Sequence, residues 1–287
     1  MLKTFTTTTE LLKTLAQLNT SYGLVPTMGN LHQGHLSLIQ NCLNNADTCV
    51  VSIFVNPKQF APHEDFNEYP RTLLQDQKLI EGLLKKNPQK NIFIFAPQDS
   101  QEIFPLNHVD FKMDLGIEEK ILCGKSRPTH FAGVIAVVHR LFEIIKPTSA
   151  YFGQKDFQQL FFIKKMIAEM KLPITLHPCP IIRDKDGLAL SSRNQYLSDE
   201  ERREALHLPK TLHDLSKAHK KLEQTEIFIH RIKEQNKAWD YLEILNSETL
   251  KKPTHENEPL LLLGAYFVGK RPTRLIDNVI VSKMGKK

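Results

Sequence analysis

Apolar residues along this chain alternate between two rhythms, short continuous runs and longer stretches with apolar positions three and four apart, and that alternation predicts strands interleaved with helices. A short helix over Thr9–Leu18, capped by Thr8 or Thr9, leads to a strand at Tyr22–Val25 and then to an amphipathic helix reaching Asn44. CVVSIFV, Cys49–Val55, is β-branched and apolar on both faces, as a buried parallel strand is. A helix over Thr72–Lys86, a strand at Asn91–Pro97 and a helix over Phe131–Ile145 follow, with an irregular stretch from Asp99 to Arg127. Ala150–Leu160 then repeats strand, glycine turn and helix. The series predicts a doubly wound parallel sheet over residues 1–182. Pro173, Pro178 and Pro180 break the chain, and a smaller α+β domain over 183–287 is expected after them. Its elements are a polar helix from Asp199 through Leu222, another over Glu226–Lys237, and strands at Tyr241–Leu245 and Leu260–Val268.

Composition narrows the class without naming a function. With 287 residues, 41% hydrophobic and 24% charged, the chain can bury a large core and is expected to be soluble. No apolar run approaches the roughly 20 residues that span a bilayer, and MLKTFTTTTELLKTL lacks a signal-type apolar core, so a cytoplasmic location and no membrane partner are expected. Cys42, Cys49, Cys123 and Cys179 have no paired spacing and read as reduced, buried thiols. The net charge of +6 favours anionic partners. Much of it sits in pairs such as Lys85-Lys86 and Lys220-Lys221 and in the tail Lys283–Lys287, with few aromatics between, which reads as solvated surface rather than a nucleic-acid face.

The chemistry concentrates at strand ends. LVPTMGNLHQGHLSLI, Leu24–Ile39, passes from a strand through a glycine turn into a helix start, an outline suited to phosphate. His32 and His35 share one side of its first turn, Gly34 lets a flat ligand approach the backbone, and imidazoles titrate near neutral pH. Asn56-Pro57-Lys58-Gln59-Phe60 closes the next strand at the end where open α/β sheets place ligands. Ser126–Phe131 brings Arg127 and His130 to a helix start, and Lys155 and Asp156 stand at the second glycine turn with Gln158 and Gln159 behind them.

PTMGNLHQGH at Pro26–His35, NPKQF at Asn56–Phe60, RPTHF at Arg127–Phe131, FGQKDFQQL at Phe152–Leu160, DGLALSSRN at Asp186–Asn194 and RLIDN at Arg274–Asn278 together resemble the motif series of the pantothenate synthetases, in that family's order. The HxGH core alone is shared with class I aminoacyl-tRNA synthetases and other nucleotidylyltransferases. The resemblance implies a homodimeric ligase with a Rossmann-like N-terminal domain and a C-terminal lid. Such enzymes join pantoate to β-alanine with ATP and Mg²⁺ through pantoyl adenylate. By the same resemblance ATP would be held by Met28, Gly29, Asn30, Leu31, His32, Gln33, Gly34 and His35, by Gly153, Gln154, Lys155 and Asp156, and by Ile182, Leu190, Ser191, Ser192 and Arg193. His35, His32 and Lys155 would be the catalytic groups, and Gln59, Gln159, Asn56 and His130 would bind pantoate and β-alanine; no protein ligands to a metal are assigned.

Three positions depart from the family pattern: Asn30 and Gln33 stand where alanine and glutamate are usual, and Thr129 where a glycine is. Two rival classes share part of the pattern. A synthetase-like RNA enzyme would share the histidines but calls for a basic, aromatic-rich groove, and a non-catalytic nucleotide binder would take up ATP without turnover.

Overall fold

The computed structural model describes residues 1–18, 20–61, 64, 66–218, 221–270 and 272–281. Asp65, Lys220 and the basic tail 283–287 lie outside them. Strands β1 (Leu2–Phe5), β2 (Tyr22–Thr27), β3 (Thr48–Ile53), β4 (Asn91–Phe95), β5 (Ser149–Gly153) and β6 (Thr175–Cys179) form one sheet in the order β1-β4-β3-β2-β5-β6. All its pairings are parallel. The fold is the expected α/β one. After β2 the chain adds strands on one side through β3 and β4, then returns to the other side of β2 with β5. The strand order therefore reverses between β2 and β5, and an open sheet offers its ligand crevice outside the carboxyl ends of the strands at such a point.

Helices α1 (Thr8–Leu15), α2 (Gln33–Asn45), α3 (Leu73–Lys85), α4 (Leu122–Ser126), α5 (His130–Ile145) and α6 (Phe157–Glu169) connect these strands. On α2 the buried Leu36, Ile39, Cys42 and Leu43 fall at helical spacing and join Val25, Val51, Ile92 and Ile94 of the sheet in one core. Each such aliphatic side chain contributes about 1.5–3 kcal/mol on burial. All four cysteines are buried thiols. Burial raises the pKa of Cys49 well above the ordinary value and pushes Cys179 up to about 11, so neither is a reactive thiolate near neutral pH.

The C-terminal part carries α7 (Asp199–Ala205), α8 (His207–Ala218), α9 (Leu222–Gln235) and an antiparallel sheet of β7 (Trp239–Asn246), β8 (Leu260–Val268) and β9 (Thr273–Val281). Leu208, Leu212 and Leu215 of α8 pack with Leu242, Ile244, Leu262, Tyr266 and Leu275 in a second core. The molecule divides into two compact units, one of Met1–Gln154 with Gln159–Pro180, the other of Lys155–Gln158 with the chain from Ile181 on. Lys155–Gln158 thus group with the C-terminal unit although both flanks belong to the N-terminal one, an arrangement for which no boundary drawn along the sequence provides.

Four elements differ from the sequence reading. β1 is a strand of only four residues, too short to show a period. Pro178 lies inside β6 rather than ending the domain, because β6 is a sheet edge and a missing N–H is tolerated there. The single polar helix expected from Asp199 is α7 and α8, parted at Leu206: Pro209 has no N–H to return to Ala205, and the chain restarts. RLIDN is the centre of β9, its polar residues masking the strand pattern.

Gly23 in β2 shows how tightly the N-terminal core is filled. A Cβ there would stand 2.5 Å from Cys42 Sγ and 2.8 Å from Tyr151 Cε2. Gly23→Ala is expected to cost about 1–3 kcal/mol through overpacking, read as a lower denaturant midpoint at unchanged slope.

Candidate active site

The carboxyl ends of β2 and β5 carry the two glycine turns. After β2 the chain passes through Gly29 at φ +81° and Asn30 at φ +50°, two consecutive left-handed residues. Glycine takes that conformation freely and asparagine tolerates it, which is what the departure at position 30 provides. The turn is held from both sides. Thr27 Oγ1 accepts from Gly29 N at 3.1 Å while donating to Ser52 O. Asp76 of α3, 1% exposed, accepts from Asn30 N at 3.1 Å and Leu31 N at 2.8 Å through its two oxygens. Burial raises the Asp76 carboxyl pKa, against the pull of those two backbone donors. The Leu31 side chain is buried in the core, so any part it has in a nucleotide site is played by its backbone.

His32 is the cap of α2 rather than a residue of its first turn. Its Nδ1 accepts from Gly34 N at 3.1 Å, and His35 Nδ1 accepts from His32 N at 3.3 Å, a capping box built from two imidazoles. The rings lie tilted, with centroids 4.1 Å apart. Two helix-start N–H groups expected to face an anion are therefore taken by histidine nitrogens. The compensation is a fixed tautomer: a neutral ring that accepts at Nδ1 carries its proton at Nε2. Each imidazole is thus a donor at Nε2.

Asn56, which ends the β3 segment, is buried and holds a short helical turn over Pro57–Gln59. Its Nδ2 donates to Gly133 O at 3.0 Å and to Gln59 Oε1 at 3.2 Å, and its Oδ1 accepts from Lys58 N. With its oxygen engaged by Asn56, Gln59 turns its amide nitrogen the other way, 2.9 Å from Met28 Sδ. The structure thus joins Met28, Asn56 and Gln59, drawn from two separate motifs. His130 belongs to the same network. One ring nitrogen, Nδ1, lies 2.8 Å from Gln59 O and the other, Nε2, 2.9 Å from Arg127 Nη1, and since Arg127 can only donate, the proton sits on Nδ1. Arg127 in turn makes a two-pronged bridge to Glu64 at 2.6 and 2.7 Å. Burial alone would push the Glu64 carboxyl up, but the Arg127 hydrogen bonds and charge outweigh it and hold its pKa below the ordinary 4.5. Thr129, just before α5, has φ +69°, a left-handed backbone that suits glycine and strains a β-branched residue.

In the C-terminal unit, Lys155 sits in the turn Gln154–Asp156 after Gly153, with Nζ 3.1 Å from Asp156 Oδ2. Gln158 is buried, and Gln159 is half-buried in the N-terminal unit. Ile182 and Leu190 face each other across a hairpin, Leu190 N donating to Ile182 O at 2.9 Å, with Gly187 at φ +93° at its tip. Arg183 pins this hairpin to β9 through a paired contact with buried Asp277 at 2.6 and 2.9 Å. Ser191 caps the turn of Ser192 and Arg193, accepting from Arg193 N at 3.3 Å.

The family model described as pantoate-beta-alanine ligase matches residues 1–280. The chain belongs to the pantoate-beta-alanine ligase family. Its relatives include the pantothenate synthetase of Acetivibrio thermocellus, 45% identical over 94% of this chain and 95% of that one, and that of Thermosipho melanesiensis, 44% identical over 90% and 91%. Among solved structures, the pantothenate synthetase of Thermus thermophilus superposes with a TM-score of 0.87 at 34% identity, covering 98% of this chain and all of that one. The pantoate-beta-alanine ligase of Francisella tularensis, solved with beta-gamma ATP and beta-alanine, gives 0.78 at 30% identity over 99% of each chain.

Four residues of the candidate site escaped the sequence reading in whole or part: Asp76, Glu64, Gly133 and Asn56, the last in its bracing role. Their long-range contacts span 45 to 77 positions, so no local spacing announces them. A Cβ on Gly133 would stand 2.1 Å from Lys58 O, which shows how closely α5 approaches the Gln59 loop. Gly133→Ala is expected to push loop and helix apart and cost about 1–3 kcal/mol, with faster amide hydrogen exchange at Lys58 and Gln59 than in the wild type. A second expectation concerns pH. Because the folded-state pKa of Glu64 is depressed, its bridge stabilises the fold above the ordinary 4.5 and loses that contribution as pH falls through the depressed value. Glu64→Gln should therefore be less stable than wild type at pH 7 and show a smaller gap at pH 3, measured by thermal unfolding across that range.

Proposed function

We propose that this chain condenses pantoate with β-alanine at the expense of ATP, through a pantoyl-adenylate intermediate. The observation that carries the reading is the paired-histidine cap at the sheet's switch point, present in a member of the pantoate-beta-alanine ligase family. In the first step the pantoate carboxylate attacks the α-phosphate, the bond from that phosphorus to the bridging oxygen breaks, and pyrophosphate leaves with the electron pair. In the second, the neutral amine of β-alanine attacks the acyl carbon, the bond from that carbon to the phosphate oxygen breaks, and AMP leaves with the electron pair. The nitrogen's extra proton passes to solvent as the amide forms.

His32 and His35 present Nε2–H donors to phosphate oxygens that gain charge, and Met28–His35 hold the triphosphate. Lys155 and Arg193 supply cations, Ser191 and Ser192 hydroxyl donors, and Gly153, Gln154, Asp156, Ile182 and Leu190 complete the nucleotide contacts. The Ser191–Arg193 loop of this lid-like unit closes over the triphosphate and keeps water from the adenylate. Gln59 and Gln159 bind pantoate through neutral amides that add no charge to be desolvated. Asn56 and His130 serve that end by fixing the side chain and the carbonyl of Gln59.

Among the described residues no group of three or more His, Cys, Asp or Glu could hold a metal ion. Mg²⁺ in this reading takes its ligands from phosphate oxygens and water, the usual manner for that ion. A homodimer and a cytoplasmic location belong to the same proposal. The exposed Leu106, Val109 and Ile117 supply apolar surface for the first, and among the described residues no helix is long and apolar enough to cross a membrane.

The test is exchange of labelled pyrophosphate into ATP, which should require pantoate, followed by mass spectrometry of pantothenate once β-alanine is added. His35→Ala and Lys155→Ala should each lose about 10²- to 10³-fold in kcat with unchanged circular dichroism. Exchange without pantoate would sink the adenylate route, and near wild-type turnover in either variant would remove its assigned role.

A further inference from the structure

RLIDN, Arg274–Asn278, is the motif that no ligand role accounts for. We propose that Asn278 is a positioning residue for Lys155, holding the lysine's main chain from the C-terminal sheet so that its ammonium is delivered to the phosphates in one place. The inference rests on the role given to Lys155 above.

β9 pairs with β8 over its whole length, with Asp277 opposite Gly264 and Asn278 opposite Leu263. Side chains of a strand alternate, so Asp277 shares the face of Leu275, Val279 and Val281, which pack in the C-terminal core, and Asn278 projects from the other face. Both are buried, at 2% and 5% exposed, which is unusual for such polar residues and demands partners. Asp277 has Arg183. Asn278 Nδ2 donates to the carbonyl of Lys155 at 3.0 Å, across 123 positions of sequence.

That carbonyl lies in the turn between β5 and α6, outside the sheet ladder, so a side-chain donor can take it. An amide is the fitting group at position 278. Aspartate of the same shape would set an oxygen against an oxygen, and alanine would leave a part-buried carbonyl without this donor. The lysine side chain has four rotatable bonds, and its ammonium is already steadied by Asp156 at 3.1 Å. Fixing the backbone at one end and the charge at the other removes most of that freedom before substrate arrives. It also gives a physical reason for Lys155–Gln158 to group with the C-terminal unit while both flanks do not.

The experiment is a double-mutant cycle on the full-length protein. Asn278→Ala, Asn278→Asp, Lys155→Ala and the combinations are assayed for pantothenate formation at saturating substrates, with thermal unfolding measured in parallel. Each Asn278 variant should lower kcat about 10- to 100-fold, leave KM for β-alanine unchanged, and add no further loss in the Lys155→Ala background. The aspartate variant keeps the side chain's size and serves if the alanine variant does not fold. Losses that multiply across the two positions would show Asn278 acting independently of Lys155 and overturn the proposal, as would wild-type turnover in both Asn278 variants. Wild-type turnover in Lys155→Ala would instead remove the function assigned to the lysine, and the positioning role with it, a result distinguishable from a failed cycle.

Discussion

A buried carboxylate, that of Asp76, closes the turn on which the rest of the candidate site depends. Gly29 and Asn30 are both left-handed, which points two successive main-chain N–H groups, those of Asn30 and Leu31, at the same carboxylate. Left without acceptors so close to the core they would cost more than most single contacts contribute. Asp76 supplies both acceptors from α3, and the two donors oppose the burial that raises its pKa. The start of α2 is set by this turn. If the turn slackened, His32 would no longer stand where its Nδ1 can cap Gly34, and the tautomer that makes each ring a donor at Nε2 would lose its cause.

The same device recurs where functional segments meet the scaffold. Asn56 holds Gln59 and the α5 backbone, Asp277 holds Arg183, and Asn278 holds the carbonyl of Lys155. Each is a short polar side chain, nearly sealed from water, with at least one partner, main chain or a charged group, far away in sequence. Such groups are poor contributors to net stability and good at excluding alternative geometries, because every wrong arrangement leaves a buried donor or acceptor unmet. Gln59 and Lys155, both long and flexible side chains, are thereby steadied by short buried neighbours.

Much of this was legible along the chain. Apolar runs such as Cys49–Ile53 and the helical spacing of Leu36, Ile39 and Leu43 read as β3 and α2, because burial on two faces or on one stripe leaves a periodic record. The strand, glycine and histidine order at Leu24–His35 marked the turn and helix start of the candidate site, because a left-handed turn and a helix start place demands on local residue types. β6, β9 and the break at Leu206 were not legible. Pro178 is tolerated only because β6 is an edge, and Arg274, Asp277 and Asn278 are strand residues only because partners elsewhere satisfy them.

By itself, then, the sequence determined the alternation of elements, the parallel sheet it builds and the family motifs with their residue types, since periodicity and turn chemistry are local properties. Only the tertiary structure decided which atoms those residues have left to use. Two imidazoles cap a helix, His130 is locked between Gln59 and Arg127, and Lys155 groups with the C-terminal unit. The reason is that hydrogen-bond satisfaction in a buried setting is settled by partners tens of positions away, and spacing along a chain carries no record of them.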